Sequence, residues 1–125
     1  MGNSVGTLSK VVIDGMTFDV FPDSKVSYNP SDFEIEAQVT TGDAIFKMTK
    51  RIPAMEGLEL ACTLNQLEIL KEKSNSVADI TLAVEFADAS IYRSSGRIKT
   101  DNWESDTGKI SVDLLPKRGW TAFLA

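Results

Sequence analysis

Glu34 and Glu36 stand two residues apart in a chain that has no histidine, so any acid–base chemistry here falls to carboxylates or lysines. Same-face strand residues at that spacing lie about 7 Å apart. No acid or base partner accompanies the pair, and a solvated or electrostatic strand face is the expectation. Without histidine there is no Ser–His or Cys–His nucleophile pair and no imidazole metal ligand. Cys62 is the single cysteine. It ends an apolar stretch with no basic neighbour, the setting of a small buried hydrophobe rather than an activated thiolate. Asp101, Glu104 and Asp106 gather in one polar stretch. A calcium loop, however, wants oxygen ligands at its first, third and fifth places, and Trp103 and Ser105 stand at the third and fifth here. Gly108-Lys109 resembles the end of a phosphate loop, yet Ile110 replaces the required Ser or Thr and the upstream glycine is missing. The expectation is a protein that is not an enzyme and uses no metal or cofactor.

Charge narrows the partners. The 125 residues carry a net charge of −5, and the first forty hold Lys10 and Lys25 against Asp14, Asp19, Asp23, Asp32, Glu34 and Glu36. An acidic chain repels phosphate backbones, which argues against tight nucleic-acid binding. Hydrophobic residues make up 42% and charged residues 25%, an ordinary globular balance for one domain over 1–125. No apolar run is long enough for a membrane span. Met1 to Lys10 lacks the basic and apolar regions of an export signal, and a lone cysteine fits a reducing compartment.

The elements that position these residues are mostly strands. Val11 and Ile13 lead into Asp14-Gly15, after which Met16, Phe18 and Val20 alternate with Thr17 and Asp19. That pattern predicts a tight hairpin. Pro22-Asp23-Ser24 and Asn29-Pro30-Ser31 bracket a loop. Phe33, Ile35, Ala37 and Val39 then alternate with Glu34, Glu36 and Gln38, and Thr40 to Asp43 turns the chain. Ala44, Phe46 and Met48 return opposite Lys47, Thr49 and Arg51, which makes a second and longer hairpin. Gly57 opens a strand from Leu58 to Cys62. Thr63-Leu64-Asn65-Gln66 forms a capping box for a helix ending at Ser74-Asn75-Ser76, with Leu64, Leu67 and Leu70 as its stripe. Strands follow over Ala78–Phe86, over Ser90–Thr100 with a break at Ser94-Ser95-Gly96, and over Lys109–Leu115, with a polar turn from Asp101 to Gly108. Beyond them lies a tail. The fold class predicted is mainly β, an antiparallel sandwich or partly closed barrel with a long hairpin and one flanking helix.

Two features exceed what a lone small domain needs. The hairpin Phe33–Arg51 carries more apolar face than one sheet and one helix readily cover. Trp103, Trp120, Phe123 and Leu124 lie in a turn and a tail, so they serve either as core plugs or as interface residues.

Residues 58–115, running through "LACTL", a short helix, "ADITLAVEF" and "SIYRSSGRIKTDNWESDTGKISVDL", resemble the tail tube proteins of contractile-tailed, Mu-like bacteriophages. The matching residues are Tyr92, Arg97 and Thr100, then Gly108, Ile110, Ser111 and Val112. The resemblance implies hexameric rings of this subunit that stack helically into a hollow tail tube, their strands joined around a lumen through which DNA passes without specific binding. It implies Glu34, Glu36, Gln38 and Lys47 facing that lumen, as an acidic wall that repels DNA or, where Lys47 and Arg51 pair with the glutamates, as a nearly neutral one. Their opposite face, with Phe33 and Ile35, would pack on the subunit's own core. Phe33, Ile35, Phe46, Met48, Trp103, Trp120 and Phe123 are the candidate inter-subunit residues. Implied partners are tail sheath, tape-measure and baseplate proteins, with no membrane. The implied location is the virion tail, after assembly in the host cytoplasm. Alternatives are another ring-forming tail component, either terminator or baseplate tube initiator, and a monomeric β-sandwich binding module.

Overall fold

Asp14 and Gly15 take positive φ angles of 51° and 83°, the pair a type I′ turn requires. Their turn joins β1 (Leu8–Ile13) to β2 (Met16–Asp19) in the expected register, with Ile13 opposite Met16 and Val11 opposite Phe18. The computed structural model describes residues 7–21 and 24–125. Pro22-Asp23 of the first loop and the polar segment before residue 7 lie outside the described residues.

The remaining elements are β3 (Ser27–Tyr28), β4 (Phe33–Val39), β5 (Ala44–Lys50), β6 (Met55–Ala61), α1 (Leu64–Ser74), β7 (Ile80–Phe86), β8 (Ile91–Glu104), β9 (Lys109–Pro116) and β10 (Thr121–Phe123). One antiparallel sheet runs β2-β1-β7-β8-β9-β6-β3, with β10 beside the first half of β8, while β4 and β5, among the described residues, pair only with each other. Just past β2, Val20 bridges Leu60, and the Phe21 N–H donates to the Glu59 carbonyl at 3.3 Å. The two sides of the sheet thus curl together and meet at one bridge, without a continuous closing ladder. The mainly β, sandwich-like class expected from the alternation is the class observed.

Inward side chains of the curled sheet make the core. Val11, Phe18, Leu58, Leu60, Leu82, Val84, Val112 and Leu114 are buried there, each from a strand whose alternate residues face out. Helix α1 packs against β8 and adds Leu70. Thr63 Oγ1 accepts from the Gln66 N–H at 3.3 Å, and Gln66 Oε1 accepts from the Thr63 N–H at 3.0 Å. Thr63→Ala removes that reciprocal cap and is expected to lower stability by about 1 kcal/mol, read as a shift of the urea midpoint at unchanged slope. The helix is also tied to the first turn, because Lys73 Nζ sits 2.5 Å from Asp14 Oδ2. That hydrogen bond and the Asp14 charge raise the Lys73 pKa. Leu64, expected on the apolar stripe, is exposed, and Leu70 is the helix residue that is buried.

Several boundaries differ from the sequence reading. Strand β8 runs unbroken through Ser94-Ser95-Gly96, and its register shift lies between Thr100 and Trp103. Long-range pairing holds the serine stretch straight: Gly96 sits opposite both Ile80 and Pro116, and the Lys117 N–H donates to the Ser95 carbonyl at 2.7 Å. The strand reaches Glu104, so the polar turn shrinks to residues 105–108. Gly57 lies inside β6, at a bulge between Met55 and Leu58 where its N–H donates to Asp113 Oδ1 at 2.9 Å. The short strands β3 and β10 were not expected.

Candidate functional site

Hairpin β4–β5 stands apart from the core. Every residue of both strands is exposed, and the buried cluster includes none of them. Its seven cross-strand pairs run from Phe33 opposite Lys50 to Val39 opposite Ala44. At the tip, the Thr40 N–H and Oγ1 donate to the Asp43 carbonyl at 2.8 and 2.6 Å. At the root, Arg51 folds back and its Nη1 donates to the carbonyls of Asn29 (3.1 Å) and Ser31 (2.5 Å), while its own N–H donates to the Asp32 carbonyl at 2.9 Å. Polar contacts at the base therefore carry the hairpin.

The expected packing of Phe33, Ile35, Ala37 and Val39 on the subunit's own core does not occur. The strands of the curled sheet and Leu70 already fill that core without any residue of the hairpin. Phe33, Ile35, Phe46 and Met48 share one hairpin face by register, and Ile35 and Phe46 are 61% and 63% exposed.

The opposite face holds Glu34, Glu36, Gln38, Ile45, Lys47 and Thr49. Glu36 sits directly across from Lys47, and Arg51 joins them around a broad open concavity of about 600 Å³. Two carboxylates thus meet two cations on this face. The structure brings Glu34, Glu36, Gln38 and Lys47 together and makes their surface close to neutral, where the glutamates alone suggest an acidic one.

The aromatic candidates divide. Trp103 is half-buried against the core, and its Nε1 donates to the Cys62 carbonyl at 3.0 Å. Trp120 packs likewise, with Nε1 donating to the Pro53 carbonyl at 2.9 Å. Both act as plugs inside the subunit, since a buried indole N–H needs an acceptor and each finds a backbone carbonyl. Phe123 is exposed on β10, beneath the Arg93 guanidinium at 5.3 Å from the ring centroid. Tyr28 and Tyr92, scattered in sequence, meet edge-on at 5.9 Å, and Phe86 meets Tyr92 at 5.7 Å. Burial, with the nearby Tyr92 and Asp32 charges, raises the Tyr28 pKa. The perpendicular rings offer no flat stacking platform.

Cys62 is buried, and burial pushes its thiol pKa up, the opposite of nucleophile activation. Asp101 and Glu104 lie on β8 and Asp106 in the turn that follows. Among the described residues no group of three or more acidic or cysteine side chains is placed to hold a metal. Among the same residues no helix is long and apolar enough to cross a membrane. No protein-family model, curated protein or solved structure matches the chain.

Proposed function

We propose that this protein is a structural subunit that joins copies of itself into rings, stacked as a hollow tube of the phage tail tube kind, with hairpin β4–β5 as the joining element. The observation that carries this reading is a seven-pair hairpin with an uncovered apolar face and, among the described residues, no strand paired on either long edge. A lone two-stranded ribbon is marginal in water, and bare strand edges are templates for pairing with another chain. Joining β5 of one copy to β4 of the next satisfies both edges and repeats around an axis, a heterologous contact that closes as a ring. The apolar face is then covered by neighbouring copies.

The other face would line the lumen. Its glutamates and cations roughly balance, which presents passing DNA with a hydrated wall of little net attraction or repulsion. On this reading the hexameric ring, the sheath, tape-measure and baseplate partners and the virion tail location all come from the resemblance over residues 58–115.

The test is negative-stain electron microscopy with sedimentation velocity across a concentration series. Rings or hollow tubes of uniform diameter are expected. A protein that stays monomeric at the highest concentration, with and without preformed seeds, overturns the reading and returns attention to a monomeric binding module.

A further inference from the structure

The two ends of the β8–β9 strand pair carry opposite charge. Asp101, Glu104 and Asp106 are exposed at one end, around a tight turn in which the Gly108 N–H donates to the Glu104 carbonyl at 2.8 Å. Strand β9 begins just after that turn, at Lys109, and ends at Pro116, where Lys117 and Arg118 follow. Eight strand residues put the two ends about 25 Å apart. At the far end a recess of about 490 Å³ has Phe33, Ile52, Pro53 and Gly119 in its walls and Lys50, Arg51, Lys117 and Arg118 around it. Asp32 also borders the recess, and Asp79 engages Lys117 at 3.1 Å. Lys50, Lys117 and Arg118, with Arg51 shared with the other face of the hairpin, stand against two carboxylates and leave this end positive.

From these placements we infer that the recess at the hairpin root receives the acidic β8–β9 turn of a second copy, and that this contact stacks one ring on the next. The inference rests on the assembly reading above and assigns its axial junction. Three arguments favour a copy of this chain as the occupant. The turn is a narrow projection and the recess is concave. Their charges are complementary in a chain that is otherwise acidic. Because the turn closes one end of the β8–β9 pair and the recess lies beyond its other end, a strand length away, a subunit cannot fill its own recess. The contact is therefore head-to-tail and repeats without closing. It also leaves the lateral edges of β4 and β5 free for ring formation.

Charge exchange tests it. One variant carries D101K, E104K and D106K, so both ends are positive; a second carries K117E and R118E, so its recess end turns acidic. All five side chains are exposed, and circular dichroism checks that each variant folds as wild type does. Each variant alone is expected to lose axial association by on the order of a hundredfold, since like charges now face each other. Each should stop at rings or their lateral precursors. An equimolar mixture should regain tubes, with the two variants alternating along the axis. Raising salt should shorten wild-type tubes and leave rings intact, because the junction is exposed and screened.

Tubes from either variant alone at wild-type concentration would overturn the inference while leaving the assembly reading standing, and so would a mixture that fails to restore them. A wild-type protein that forms neither rings nor tubes would overturn both.

Discussion

Replacing Ile35 and Phe46 together with lysine is expected to abolish self-association while leaving the subunit's unfolding free energy within about 0.5 kcal/mol of wild type. Both halves of that result follow from burial. The two side chains lie on the same hairpin face, are more than half exposed, and belong neither to the core cluster nor to the hydrophobics packed against it, so the folded subunit loses almost no apolar packing. In a joined ring the same side chains would be covered, and each buried lysine ammonium would lack a partner. An unpaired buried charge costs several kcal/mol, enough to shift an association constant a thousandfold or more by the usual ratio of about 1.4 kcal/mol per tenfold. Sedimentation velocity reads the association and urea denaturation reads the stability. Unchanged assembly would show that the hairpin face is not the joining surface. Gross loss of stability would show that the face belongs to the subunit's own core.

The largest expected effect on folding is at Gly96, where alanine should destabilise the protein by about 3 kcal/mol or more. A Cβ built there would stand 2.1 Å from the Leu115 carbonyl oxygen, 2.7 Å from the Lys117 nitrogen and 2.8 Å from the Pro116 Cα. All three obstacles are backbone, so no side-chain rotation relieves them. Gly96 is also where β8 passes from pairing with β7 to pairing with β9, which puts both ladders at risk from one methyl group. Gly42→Ala is the control, because no atom lies within 4 Å of a Cβ at that position. It should stay within about 0.5 kcal/mol of wild type. Equal urea midpoints for the two variants would mean that β8 and β9 can separate at Gly96 without loss of pairing elsewhere.

What could be read from sequence was local. Asp14-Gly15 specifies its hairpin because the needed backbone angles belong to those two residues. Thr63 and Gln66 specify a helix start because the capping bonds span only three residues. The alternation of Ile80, Leu82 and Val84 reads as a buried strand face, and so it is. The same alternation over Phe33–Val39 has the opposite outcome. A period of two declares an apolar face but does not say what covers it, and here the core was complete without the hairpin.

Tertiary structure alone decided the rest, because the deciding contacts lie far apart in the chain. Tyr28 pairs with Met55 and Thr121 with Arg93, making strands too short to announce themselves. The indoles of Trp103 and Trp120 turn inward because carbonyls at Cys62 and Pro53, some forty and sixty-seven residues back, can accept from them. The charges of the two glutamates were evident from the start. That Lys47 faces one of them and Arg51 closes the same concavity depends on a strand register and a side chain folded back over its own loop. Local backbone chemistry determined the elements of this protein. The filling of one core decided which apolar face would be left outside it.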